Sequence, residues 1–236
     1  MEKHSGVNCF ICGKPLKYLN PAEERKCEIC GNVSSANAVC ESGHFVCDKC
    51  HTKDSRVFIS EYALSTKSKN PLLIAEEMMK NESVNMHGPE HHYLAVAALL
   101  AAYANAGGKI DLHKSLEAAR QRAEKVPGGI CGFWGSCGAG VASGMFVSII
   151  TGATPLSKEE WGLANLATSE ALAKISKGGG PRCCKRDVYT SLLSAIDFTA
   201  KHFKVQMEKT ENMKCVFSGK NGTCKKTECS YFNGTV

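Results

Sequence analysis

The first fifty residues hold seven cysteines and a histidine spaced as four ligand pairs: Cys9-x2-Cys12, Cys27-x2-Cys30, Cys40-x3-His44 and Cys47-x2-Cys50. No other feature constrains the fold as strongly. Thiolate and imidazole donors at this spacing suit tetrahedral zinc, because a C-x2-C turn aims both sulfurs at one point. Four pairs make eight ligands, enough to close two Zn2+ sites with no coordination position left for catalysis. The segment has almost no apolar residues for a core of its own, so metal binding must supply its folding free energy. Residues 1–51 are therefore expected to form a zinc-binding module.

From Cys27 onward the string C-x2-C-x9-C-x3-H-x2-C-x2-C resembles the middle of a RING finger, though the histidine falls at a different place among the pairs. The resemblance covers only these fifty residues and carries over no ubiquitin-ligase role. With Cys9 and Cys12 in front, the complete order permits a cross-brace. In it Cys9, Cys12, Cys40 and His44 hold one zinc, and Cys27, Cys30, Cys47 and Cys50 hold the other. His51 is the alternative to His44.

The rest of the composition is that of an ordinary globular chain. Of 236 residues 43% are hydrophobic and 22% charged, which argues against disorder. The formal net charge is +6, but there is no dense Lys/Arg block. Phe10, Tyr18 and Phe45 are too few to make a base-stacking platform, so nucleic acid is not the expected partner. Met1-Glu2-Lys3-His4 begins no apolar leader, so a cytoplasmic location is expected. There the repeated C-x2-C reads as metal rather than disulfide. Residues 126–157 carry no charge, yet their dense apolar part, Val141 to Ile150, is far shorter than the ~20 residues of a spanning helix. No membrane association is expected.

Residues 52–70 read as a polar linker around a short apolar patch. From residue 71 to 236 the periodicity is helical, and a mainly α domain with a core of five to seven helices is expected. Pro71 starts one helix. Pro89 opens a second, apolar on nearly every side and so central, which Gly107-Gly108 stops. A charged helix runs from Asp111 or His113 to Lys125, and a small-residue helix from Cys137 to Ile150. Ser157-x-x-Glu160 reads as a capping box for a helix ending near Lys177, with Trp161, Ala164, Ala171, Leu172 and Ile175 inward. Asp187 to Phe203 is the last helix.

Seven more cysteines lie in this domain: Cys131, Cys137, Cys183, Cys184, Cys215, Cys224 and Cys229. Two glycine-rich loops, Gly128 to Gly138 and Gly178 to Arg186, would place thiols at helix N-termini, where dipole and free N–H groups favour thiolate. Arg182, Lys185 and Arg186 add positive charge. Glycines let backbone amides approach an anionic inorganic cluster, so a [4Fe–4S] cluster is the expected cofactor. A further zinc site and unliganded core thiols are the alternatives. Seven cysteines fall one short of two four-thiolate sites, so one site takes a histidine or stays open. The tail, Cys215-x8-Cys224-x4-Cys229, either joins the core cluster or binds a separate metal.

Three motifs resemble those of an uncharacterised prokaryotic domain family, sometimes joined to radical SAM proteins. They are Met86-His87-Gly88-Pro89-Glu90-His91-His92, Cys131-Gly132-Phe133-Trp134-Gly135-Ser136-Cys137-Gly138 and Gly179-Gly180-Pro181-Arg182-Cys183-Cys184-Lys185-Arg186. The resemblance spans about residues 70 to 232 and implies anaerobic metal chemistry without naming a reaction.

His87, His91 and His92 surround Pro89 just before the central helix. Histidines there tend to stay neutral, able to act as ligand or base, with Glu90 as a further acid–base group. The alternative is that they only cap the helix. The sequence thus points to a zinc- and iron–sulfur-binding protein carrying out cluster-assisted sulfur-transfer or lyase chemistry on a small molecule. Two other readings remain open. One is an accessory protein passing electrons or clusters to a radical SAM or other redox partner. The other is a zinc-finger adaptor for RNA or protein.

Overall fold

In the computed structural model, which describes residues 9, 11, 12, 14–51 and 53–234, an antiparallel ribbon opens the chain. Strand β1 (Leu16–Lys26) pairs with β2 (Val33–Cys40), Leu16 opposite Cys40 and Lys26 opposite Val33, with a register shift between Tyr18 and Glu23. A one-turn helix α1 (Asp48–His51) follows. Among the described residues the apolar cluster here is Cys27, Ala36, Val39 and Phe45 with a few half-buried neighbours, and Cys9 and Cys40 are buried as well. Such a core is too small to hold the segment unaided, in line with metal-dependent folding.

The rest is helical. Its long helices are α2 (Lys53–Ser65), α3 (Pro71–Lys80), α4 (Glu90–Asn105), α5 (Leu112–Ala123), α7 (Gly138–Thr151), α8 (Glu159–Lys177) and α9 (Cys184–Phe203). A single turn, α6 (Ile130–Phe133), lies between α5 and α7, and two 3-10 turns, Ser218–Lys220 and Lys226–Glu228, punctuate the tail. The fold is thus mainly α, preceded by a small ribbon carrying the first cysteine set. Among the described residues no helix is long and apolar enough to cross a membrane.

Helix α4 is the axis of the domain. Every residue from Tyr93 to Tyr103 is buried, and α2, α3, α5, α7 and α9 all pack against it. Local sequence sets the helix starts: Asn70 Oδ1 accepts from Leu72 N at 3.0 Å ahead of Pro71, and Asp111 Oδ1 accepts from Lys114 N at 3.1 Å. Helices α7 and α8 meet most closely, through glycines. A Cβ at Gly144 would stand 1.9 Å from Thr168 Oγ1 and 2.7 Å from the Ala164 carbonyl oxygen.

Three expectations need correction. The stretch 52–70 is not simply a linker, because α2 occupies most of it and buries Ile59 and Ala63 completely in the main core. A helix can be amphipathic on two or three apolar residues when a fully apolar neighbour such as α4 receives them. Ser157 does not cap α8: the helix begins at Glu159 after Lys158, and Ser157 Oγ instead accepts from Thr154 N at 3.0 Å. Nor does Trp161 face inward: it is 52% exposed, while Ala167 and Ala171 form the buried stripe.

Candidate metal centres

In the ribbon module two tetrads form, Cys9/Cys12/Cys40/His44 and Cys27/Cys30/Cys47/Cys50, each with all its ligand atoms within 4.8 Å of one another. The sulfurs of Cys12 and Cys40 lie 3.4 Å apart, those of Cys30 and Cys47 3.8 Å, and Cys9 Sγ lies 3.7 Å from His44 Nδ1. A tetrahedron with Zn–S bonds of ~2.3 Å has an edge of about 3.8 Å, so either tetrad can hold one zinc-sized ion. The pairs alternate between the two tetrads, which is the cross-brace. His51 stands elsewhere, its Nδ1 3.4 Å from Asn85 Nδ2.

Backbone amides prepare these sulfurs for charge. Ile11 N donates to Cys9 Sγ at 3.4 Å, Ile29 N to Cys27 Sγ at 3.4 Å and Ser42 N to Cys40 Sγ at 3.3 Å. Burial opposes ionisation of Cys27, but N–H donors overcome it and bring its thiol down to about 6. Burial opposes Cys40 too, but the Ser42 amide and then the side chains of Cys12, Cys9 and His44 bring it down to about 6.

The module also touches the helical domain. Asn37 Nδ2 donates to Gly128 O at 3.1 Å, and Gly128 N donates to Asp48 Oδ2 at 2.8 Å. Tyr18 of β1 packs edge-on against Phe133 and receives hydrogen bonds from the Arg182 guanidinium. These contacts wall in a cavity of about 780 Å³. Its lining includes Cys131, Cys137, His87, Arg182, Asp187 and Tyr18.

Both glycine-rich loops serve this cavity. Gly129 adopts φ 85°, turning the chain into α6 so that Cys131 rides on that single turn. Cys137 is the N-cap of α7. Gly138 follows it because a Cβ there would strike the His92 ring at 2.2 Å. In the second loop Cys183 is the N-cap of α9 and Cys184 its first residue. Cys184 N donates to His87 Nδ1 at 3.4 Å, whereas Cys183 Sγ accepts from Asn221 Nδ2 in the tail at 3.6 Å. The Cys184 amide thus faces His87, while the Cys183 thiol faces the tail.

Helix termini were expected to ionise these thiols, but burial prevails. Burial pushes Cys137 up to about 12, with the Asp187 carboxylate and then Cys184 and Cys131 adding to it. Cys184 goes to about 11, because burial outweighs the pull of Arg182. The Cys137 Sγ–H points at Asp187 Oδ2, 3.7 Å away. Without metal these are protonated thiols. A soft cation, rather than a hard one, is what would displace protons from sulfur donors.

The histidine motif lies beside this arrangement, and His87 is its member on the cavity wall. Its Nε2 faces Asn221 Oδ1 at 3.1 Å, and burial, with Arg182 next, lowers its pKa to about 4. His91 Nδ1 donates to Gly88 O at 3.1 Å while Nε2 accepts from Lys185 Nζ at 3.0 Å. Burial, then the Lys185 charge, holds it neutral. His92 Nδ1 donates to Val126 O at 3.2 Å. Glu90 is buried, with Oε1 accepting from Asn85 N at 2.9 Å and Oε2 without a partner. His91 and Glu90 therefore hold the start of α4 and the loop before it, rather than facing the cavity.

Residues 59–232 match the model of a family of unknown function, DUF5714. The chain belongs to that family. Its matched region contains all seven cysteines of the second set and none of the ligands of the two N-terminal tetrads. No curated protein and no solved structure shows significant similarity to the chain.

Sequence reasoning missed Tyr18, Asp187 and Asn221 as parts of the site. Asn221 precedes a glycine between two tail cysteines and reads locally as a turn, so nothing in its neighbourhood signals a partner more than a hundred residues away.

Proposed function

We propose that this protein binds two zinc ions in its N-terminal module and a [4Fe–4S] cluster beside its cavity, held by Cys131, Cys137 and Cys184, and that it works on a small molecule there. The carrying observation is the pair Cys131 and Cys137 on the wall of a 780 Å³ cavity, with the Cys137 thiol in the field of Cys184 and Cys131. Three thiolates leave one iron of a cubane without a protein ligand, and such an iron supplies a Lewis-acid site for lyase or sulfur-transfer chemistry.

The chain's own residues supply the rest. Arg182, on the cavity wall and bonded to Tyr18, is placed to bind an anionic group of a substrate. His87, neutral, ties the Cys184 amide to Asn221 and so orients the thiol-bearing turn. Asp187 holds the Cys137 proton that metal loading must remove. Tyr18 and Phe133 pack edge-on against each other on the cavity wall.

Protein purified without oxygen should contain acid-labile sulfide and iron, and Cys137→Ala should lose the iron and sulfide of the cavity cluster while keeping zinc. Zinc without iron or sulfide in the intact chain would sink the proposal. EPR of the reduced cluster, with and without candidate small anions, separates a catalyst from an accessory that passes electrons or clusters to a radical enzyme: an open iron responds to ligand, and a fully ligated one does not.

A further inference from the structure

The three tail cysteines do not join the cavity. Cys183, Cys215, Cys224 and Cys229 surround a small enclosed pocket together with Lys185, Asn221 and Phe217. We propose that these four thiols form a second, closed metal centre, an iron–sulfur cluster separate from the cavity and complete in its protein ligands.

The first observation is the backbone around the sulfurs. Phe217 N donates to Cys215 Sγ at 3.4 Å and Lys226 N to Cys224 Sγ at 3.4 Å. Each donor lies two residues beyond its cysteine, the same relation that Ile11, Ile29 and Ser42 bear to their cysteines in the zinc tetrads. Asn221 Nδ2 gives Cys183 a corresponding donor at 3.6 Å. Donors aimed at sulfur favour thiolate ligands and tune the metal they bind.

The second is the tail itself. Among the described residues from 204 onward it has two 3-10 turns, a bridge between Cys215 and Phe232, and three buried apolar anchors, Met207, Met213 and Phe217. The cysteines sit at its turns: Cys224 N donates to Asn221 O at 3.0 Å and Cys229 N to Lys226 O at 2.8 Å. A loop with so little regular structure gains its order from a metal, as the N-terminal module does.

The third is charge. Lys185 is 1% exposed, and among the described residues it pairs with no carboxylate within 4.0 Å. Its Nζ donates to Asn85 O at 2.9 Å and to His91 Nε2 at 3.0 Å, both neutral acceptors. A buried cation requires a counter-charge, and a thiolate-held cluster on either side of it provides one.

Spacing favours a cluster over a zinc ion. Among the described residues only the two N-terminal tetrads bring three or more such ligand atoms within 4.8 Å of one another. The tail quartet does not bring three of its sulfurs within that distance, and thiolates that ligate the separate irons of a cubane stand further apart than those around one ion. The proposal rests on different residues from the cavity cluster and stands or falls apart from it.

The test is iron, sulfide and zinc per chain in the anaerobically purified full chain, and in its Cys215→Ser, Cys224→Ser and Cys137→Ser variants. The wild type should carry about eight iron and eight sulfide, and the two tail variants should each lose about half. Zinc should be unchanged in both, and Cys137→Ser should lose the other half. If the wild type holds only about four iron, loss in Cys215→Ser but not in Cys137→Ser keeps this centre and removes the cavity cluster. Iron unchanged in the tail variants overturns the proposal, as does loss of zinc in place of iron, or complete loss of iron in Cys137→Ser and Cys215→Ser alike. Should the tail variants fail to fold, the wild-type count decides: about four iron, all lost in Cys137→Ser, also overturns it.

Discussion

Cys183 and Cys184 share a peptide bond and serve different neighbourhoods, which is the point at which single residues carry most of the consequence. The extended N-cap geometry of Cys183, φ −142° and ψ 103°, turns its side chain away from that of the first helical residue. Substitution at Cys184 should therefore act on the cavity, and substitution at Cys183 on the tail. In the N-terminal module the ligand assignment is sharper still. Cys9→Ser and Cys27→Ser should each lower bound zinc from two ions per chain to about one, because each removes a ligand from a different tetrad. Atomic absorption on the purified variants checks this, and unchanged zinc in either would reject the cross-brace. The buried Lys185 gives a third test at this scale. With its positive charge removed in Lys185→Met, a nearby cluster should become harder to reduce, shifting its midpoint potential to more negative values in a redox titration.

Among the elements, α7 and α8 are the pair whose packing can be probed most cleanly. Gly144→Ala would drive a methyl group into Thr168 Oγ1 and the Ala164 carbonyl, so α7 and α8 must separate. A loss of about 1–3 kcal/mol in urea unfolding is expected from such overpacking. Gly162→Ala is the matched control. It lies in the first turns of α8 with nothing within 4 Å of the added methyl, and it should be neutral or stabilise by about 0.5–1 kcal/mol. Equal effects at the two sites would show that close approach is not why Gly144 is there. The helices themselves were legible: α3, α4, α5, α7 and α9 all follow the periodicity and punctuation of their sequences. Helix α2 was hidden because charged and hydroxyl residues dominate it, and only the apolar face of α4 explains the burial of Ile59 and Ala63. The capping box before α8 does not form because Ser157 accepts from the Thr154 amide, a competitor as close in sequence as Glu160, which spacing alone does not rank.

At the scale of the whole molecule, two regions with different sources of stability meet at the cavity. The helical domain rests on α4 and the residues around it, whereas the ribbon module has a small core around Cys27, Ala36, Val39 and Phe45 and two tetrads able to hold metal. Chelation of zinc should therefore unfold the module and leave far-UV circular dichroism largely helical. Hydrogen exchange locates the boundary: the Gly128 amide, bonded to Asp48 of the module, should lose protection on chelation while the amides of α4 keep theirs. Loss of protection throughout α4 would mean that the helical domain depends on the module for its stability. The contacts of Tyr18 with Phe133 and Arg182 make the same treatment open one side of the cavity.

The sequence by itself determined the pairing of the N-terminal ligands and the helical character of the remainder. Both are set by short-range geometry, since a two-residue gap fixes a turn and a helical period fixes a face. Only the tertiary structure decided which of the seven later thiols face one another. Cys137 meets Asp187 and Cys183 meets Asn221 across 50 and 38 residues of chain. Those meetings depend on how α4, α7 and α9 pack, a matter of shape and volume that no local spacing encodes.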